Sequence, residues 1–227
     1  MRHILIIGGT KGIGKAIIDL HIEENKITCM SRNVSDYNHE NYNHIQLDAT
    51  LDNFPDLEKI DSLVYCPGSI NLKPISTLSI EDFRNDFELN VIGAVKSIKK
   101  YLPLLKKGEN PSILLFSTVA TKLGMPYHAS VAASKSAIDG IVKTLGAELA
   151  PKIRINAIAP TITNTELASK ILRNEKVLEN MIERHHLKKI LSADEVAKMA
   201  KFLITEDGSS ISGQIINMDA GIVSFKS

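Results

Sequence analysis

The sequence predicts a doubly wound α/β domain: a parallel sheet of about seven strands covered by helices on both faces. Three observations carry this reading. Short apolar runs alternate with longer stretches of helical periodicity along the whole chain. The short runs are apolar on both faces, as strands buried under two helical layers must be. The first run passes straight into a glycine-rich turn and then into a helix. A length of 227 residues suits one such domain, residues 1–227, with a proper core.

The predicted strands are 3–7, 27–30, 44–47, 62–65, 113–116, 153–158 and 214–218. A first helix begins at Lys15, after the glycine turn. The Asn-rich polar stretch 33–44 is short enough for a loop or an irregular helix. Ser79 is placed as the N-cap of the next helix, in which Phe83, Phe87, Val91, Ala94, Ile98, Tyr101 and Leu105 form one buried stripe. A further helix spans 129–148, where Ala132, Ala133, Ser136, Ala137 and Gly140 make a surface of small side chains. Such a surface suits a subunit interface or close packing of helix on sheet. Ser192-Ala193-Asp194-Glu195 reads as a capping box opening a helix through Leu203. Right-handed crossovers then put the working crevice at the carboxyl ends of the strands.

Composition narrows the function classes. Hydrophobic residues make up 44% and charged residues 23%, both ordinary for a globular protein. A formal net charge of +1 gives no broad electrostatic case for nucleic acid or an anionic membrane as a partner. Two cysteines, Cys29 and Cys66, lie in apolar stretches. They are expected to be buried free thiols in a reducing compartment, although the count alone would allow a disulfide. The opening MRHILIIGG has no room for a signal peptide, and no run nears the eighteen or so apolar residues of a membrane span. A cytoplasmic protein is expected.

The chemistry begins at Gly8-Gly9-Thr10-Lys11-Gly12-Ile13-Gly14. Gly8 permits a tight turn, while Gly12 and Gly14 let backbone and helix approach a pyrophosphate at the helix N-terminus. Placed between a strand and a helix, this loop points to a dinucleotide. Its spacing is G-x-x-x-G-x-G. Seven later segments accompany it in order: LDAT, YCPG, LNVIGA, FSTVATKLG, ASKSAIDG, RINAIAPTITNTEL and SGQIINMDAG. Together they resemble the short-chain dehydrogenase/reductase family over almost the whole chain, and so imply its Rossmann-type fold.

That resemblance implies a set of cofactor contacts. The loop residues Gly8, Thr10, Lys11, Gly12, Ile13 and Gly14 would meet the phosphates and adenosine. Asp48 and Ala49 would meet the adenine, and Cys66, Pro67 and Gly68 the dinucleotide beyond it. Asn90 and Lys135 would stand at the nicotinamide end, with Pro160, Ile162 and Thr165 closing over it. Family members selective for NAD carry an acidic residue near the end of the second strand. Here Ser31 and Arg32 stand there, and Lys11 precedes the second glycine. A guanidinium grips a phosphate with two donors, so the expected cofactor is NADP(H), distinguished by its 2′-phosphate.

Members of the family transfer hydride while a tyrosine exchanges the proton on oxygen. A lysine four residues later lowers the tyrosine's pKa, a serine polarises the carbonyl, and an asparagine supports a proton relay. Lys135 matches the lysine and Asn90 the asparagine. Thr118 stands at the serine's position; Ser117 beside it should face the other side of the strand. The tyrosine's position holds Val131. A positioned acid or base is worth about 10²–10⁴ in rate, so this departure matters. Two substitutes are in view. Tyr127 shares a face with Val131 and Lys135 if the helix starts at Pro126. His128 offers an imidazole, a natural proton carrier. His185-His186 has no further ligand at helical spacing, and no metal is expected.

Other departures lie near the nicotinamide. Thr161 and Ala220 each replace a family glycine, and Pro67 replaces an alanine. The stretch between Asp48 and Asp61 is short for the family, so its usual helix should be truncated. Residues 164–190 correspond to the variable substrate lid, with Leu167, Ile171, Leu172, Met181 and Ile182 as candidate apolar walls. The expected function is NADP(H)-dependent hydride transfer to or from a small carbonyl or alcohol substrate, in a homotetramer or homodimer. The alternatives are an NADP(H)-binding sensor or scaffold, and a non-redox enzyme using the same pocket.

Overall fold

A computed structural model describes residues 1–225. All seven predicted strands form, with ends shifted by at most two residues. They are β1 (His3–Ile7), β2 (Lys26–Ser31), β3 (Tyr42–Gln46), β4 (Ser62–Tyr65), β5 (Ser112–Phe116), β6 (Arg154–Pro160) and, last in the chain, β9 (Ile215–Met218). Their order is β3-β2-β1-β4-β5-β6-β9, and every neighbouring pair is parallel. Connections run outward in both directions from β1 and β4, which pair from Ile4↔Ser62 to Ile7↔Tyr65. Their carboxyl ends therefore form the crevice where such folds bind ligands.

The two faces of the sheet bury separate apolar clusters. Leu5, Leu63, Ile113 and Ile155 point to the face covered by α3 (Gly93–Leu105) and α4 (Ala129–Leu149). Ile4, Ile6, Val64 and Leu114 point to the face covered by α1 (Gly12–His21) and α6 (Ala193–Ile204). Alternation along each strand thus feeds two cores, which explains why the strands read as continuous apolar runs. Residues between β3 and β4 form turns and loop, with no helix. The expected truncation is complete.

Both predicted caps form. Ser79 Oγ accepts from Asp82 N at the start of α2 (Ile80–Phe87), and Ser192 Oγ accepts from Glu195 N at the start of α6. Each helix then closes a full capping box.

One expectation fails. The stripe from Phe83 to Leu105 is not continuous, because a π turn at Glu88–Ile92 separates α2 from α3. The wider turn rotates the helical phase. Val91, Ala94, Ile98, Tyr101 and Leu105 are buried, whereas Phe87 is 42% exposed. Gly93 is needed beside this turn, since a β-carbon there would collide with the Tyr65 hydroxyl, which donates to Leu89 O at 2.6 Å.

The small side chains of α4 do not all pack on the sheet. Val131, Ser134, Lys135, Ile138 and Val142 face inward, while Ala133, Ser136 and Gly140 are exposed. The lid contains a short helix, α5 (Glu175–Arg184), framed by the two-residue strands β7 (Thr163–Asn164) and β8 (Leu191–Ser192).

Candidate active site

At the β1 end of the crevice the glycine loop is shaped by its backbone. Gly8 has φ +80° and Gly12 has φ +53°, both in the left-handed region. A β-carbon at Gly14 would collide with the Gly8 carbonyl oxygen. The Pro67 ring packs against Gly8, where an added β-carbon would meet its Cδ at 3.1 Å. The loop therefore encloses space that side chains would fill, beside the N-terminus of α1.

A cavity of about 580 Å³ opens from this cradle toward the lid. Gly8, Thr10, Lys11, Gly12, Ile13, Gly14, Ser31, Arg32, Asp48, Ala49, Cys66, Pro67, Gly68, Lys135, Pro160, Ile162 and Thr165 all line it. At the end of the cavity beside β2, Arg32 is exposed and forms no ion pair among the described residues. Lys11, by contrast, pairs with Glu166 at 2.5 Å, both side chains being largely solvent-facing. The Ser31 hydroxyl is occupied between Asn33 O and His44 Nε2, each at 2.9 Å. Asp48 Oδ1 accepts from Thr50 N and Oγ1, and these bonds hold its carboxyl below the usual range. Cys29 and Cys66 are free thiols. Burial pushes both above the ordinary thiol range.

At the other end lie the residues that would perform chemistry. Lys135 projects from α4 and donates to Phe116 O at 2.8 Å. Burial pulls its pKa down to about 8, while Cys66, Asp139 and Asp86 act in the opposite direction. Thr118 follows β5 and caps a short turn, accepting from Ala120 N at 3.3 Å. Its hydroxyl hydrogen has no acceptor among the described residues and is free to donate into the cavity. Ser117 is buried with an unpartnered Oγ.

Asn90 stands behind the cavity wall rather than on it. The π turn carries it, a geometry often found at functional sites. Its amide nitrogen donates to Asp86 O at 2.8 Å and approaches Ser69 Oγ and Ser134 Oγ at 3.2 Å. Its Oδ1 is buried without a partner. A β-carbon on Gly68 would lie 3.7 Å from that oxygen and 3.6 Å from Lys135 Nζ, so the two groups converge at Gly68. Behind them sits Asp86, a carboxylate that sequence reasoning missed. It is 3% exposed, accepts from Ser69 Oγ at 2.6 Å through Oδ1, and has no partner at Oδ2. Nothing in its sequence context sets it apart from other acidic residues on a helix.

Val131 is 7% exposed and lines the cavity along with Thr118 and Lys135, presenting an aliphatic side chain to it. Tyr127 does not fill the gap. The helix starts at Ala129 rather than Pro126, with His128 as N-cap. Tyr127 has φ +69°, is 59% exposed and is absent from the cavity lining. The expected shared face with Lys135 does not exist, because that backbone conformation turns the residue out of the helical path. His128 does line the cavity.

Residues of the 164–190 segment line this end of the cavity. Thr161 Oγ1 and His185 Nε2 are 2.7 Å apart, and His185 Nδ1 donates to Met181 O at 2.6 Å. The threonine that replaces a glycine thus ties the β6 loop to α5, and both His185 nitrogens are engaged. Leu167, Ile171 and Met181 line the cavity as expected, whereas Leu172 and Ile182 do not. Leu72, Met125 and Ile222 add apolar wall, and Arg184 stands at the lid with them. They sit in loops or at an element's end, where no periodicity marks them. Ala220 adopts φ +47°, at a cost of about 1 kcal/mol relative to a glycine there.

A family model described as enoyl-(acyl carrier protein) reductase matches residues 38–223. This chain belongs to the short-chain dehydrogenase/reductase family. Among curated relatives in that family, the 3-oxoacyl-[acyl-carrier-protein] reductase FabG of Thermotoga maritima is 32% identical over 166 residues, 73% of this chain and 67% of its own length. A tropinone reductase homolog from Datura stramonium is 28% identical over 96% of this chain and 90% of its own. Among solved structures, ElxO with NADP bound superposes with a TM-score of 0.87 at 28% identity, covering 99% of both chains. The chain is therefore an oxidoreductase-type member with a dinucleotide-binding fold. The residues present fit a nicotinamide dinucleotide: a glycine cradle, the unpaired Arg32 at one end, and buried Lys135 at the other.

Proposed function

We propose that this chain is an NADP(H)-dependent oxidoreductase acting on a small carbonyl or alcohol substrate. The observation that carries this is one cavity holding both Lys135 and the free Thr118 hydroxyl opposite a glycine cradle with an unpaired arginine. The bound nicotinamide would supply or accept the hydride. Arg32, and Lys11 once released from Glu166, would hold the 2′-phosphate. Lys135 would hold the ribose hydroxyls, Thr118 would donate to the substrate oxygen, and Leu167, Ile171 and Met181 would exclude water from the reacting face. A second reading, an NADP(H)-binding sensor, draws support from Val131 alone.

Val131→Tyr separates the two. If the cavity is built for hydride transfer, the new phenol should raise NADPH-dependent reduction of an activated ketone such as ethyl acetoacetate by about 10- to 10²-fold. No reduction of the ketone by either the wild-type protein or Val131→Tyr, with the cofactor still bound, would favour the sensor.

The free thiols support a reducing, cytoplasmic setting, and no described helix is long and apolar enough to cross a membrane. We also place a second copy of this chain against α2 and α4. Exposed Ile80 and Phe87 there border Ala133, and the exposed small face of α4 allows close approach. Sedimentation equilibrium should give two or four times the chain mass, and a monomer at micromolar concentration would contradict this.

A further inference from the structure

We propose that His128 is the catalytic proton carrier, taking the place left by Val131. This rests on the oxidoreductase reading. His128, Val131 and Lys135 are spaced three and four residues apart and all line the same cavity. At 100° per residue they fall within about 60° of one azimuth of α4. Helical side chains lean toward the N-terminus, so the space a long side chain at 131 would fill lies over the turn that His128 begins. Val131 leaves that space open.

The imidazole is held in one sense. Its Nδ1 lies 2.7 Å from Pro126 O. A carbonyl only accepts, so Nδ1 carries a hydrogen and donates it. Nε2 is left as the working nitrogen, with no partner among the described residues. Histidine is well suited to exchanging a proton in the neutral pH range. Tyr127, the neighbouring phenol, points away in a left-handed conformation.

In reduction, the nicotinamide, when bound, would supply the hydride for the new C–H bond, and the carbonyl π pair would move onto oxygen. Thr118 Oγ–H steadies that oxygen while His128 Nε2–H gives up its proton to it. The products are an alcohol, the oxidised nicotinamide and a neutral imidazole, which solvent reprotonates. In oxidation the bare Nε2 accepts the hydroxyl proton.

Three measurements on the full chain test this. Long-range ¹H–¹⁵N spectra of the apoprotein should show His128 protonated at Nδ1, and a neutral Nε2–H tautomer would overturn the proposal. His128→Gln should lower kcat for ethyl acetoacetate by about 10²-fold and leave NADPH affinity, read by fluorescence, within about twofold. In His128→Ala, added imidazole should restore activity by about tenfold or more. Full activity in both variants would overturn the proposal while leaving the oxidoreductase reading intact. Wild-type protein that binds NADPH yet reduces no activated ketone, even as Val131→Tyr, would overturn that reading and the proposal with it.

Discussion

Lys135→Met should lower turnover by about 10²–10⁴ and yet make the apoprotein more stable at neutral pH. The activity loss follows from position. Lys135 is the cation at the proposed nicotinamide end of the cavity, 7% exposed and donating to Phe116 O. The stability gain follows from its burial, which moves its pKa from 10.5 to about 8. The unfolded chain keeps this proton up to the ordinary lysine range, and the folded chain disfavours it. Below about pH 8 both states carry the charge and the folded state bears the full penalty. Between the two values the folded lysine sheds its proton and the penalty fades; above 10.5 it is gone. A shift of this size amounts to about 3 kcal/mol. Losing the hydrogen bond to Phe116 O takes back about 1 kcal/mol. Methionine, similar in length and apolar, should therefore gain about 1–2 kcal/mol at pH 7. Thermal melts at pH 7 and pH 10 check the sign: the gain should shrink at the higher pH. Equal gains at both would mean that the buried charge is not its source.

Removing the cations at the adenosine end should abolish cofactor choice. Arg32→Ala combined with Lys11→Ala is expected to weaken NADPH by about 10²-fold and NADH by no more than about threefold. The asymmetry arises because only NADPH carries the 2′-phosphate that these side chains would hold. Arg32 should contribute more, being unpaired and ready, whereas Lys11 must first leave Glu166. That exchange of one anion for another discounts its share. Equal weakening of both cofactors, read by fluorescence titration, would show that the two cations steady the loop and do not select the ligand.

Much of the fold was legible because its signals are local. Apolar runs four to six residues long located the strands, and Ser79 and Ser192 announced their helices through capping chemistry. The glycine cradle was equally plain, since left-handed turns and close approaches admit little else. What was not legible depends on phase and on distant neighbours. The Phe83–Leu105 spacing continues through the π turn without a break, so the rotation that exposes Phe87 leaves no mark on the periodicity. Asp86 looks like any acidic residue on a helix until its neighbours are known. Pro126 suggested a helix start, but Tyr127 takes a positive φ and His128 stands at the N-cap position instead. That shift of three residues moved one candidate proton donor out of the site and left the other in it. The small residues of α4 could face sheet or solvent from their sequence alone, and Ala133, Ser136 and Gly140 turned out to face solvent.

The proposed activity depends first on a pocket that prefers the phosphorylated cofactor. Titration of the wild-type protein with NADPH and, separately, with NADH, followed by nicotinamide fluorescence, tests this most directly. Binding of NADPH at least about 10²-fold tighter than NADH is predicted. Equal affinities would contradict the role given to Arg32 and Lys11, and no binding of either would mean that the cradle between Gly8 and Gly14 no longer holds a dinucleotide.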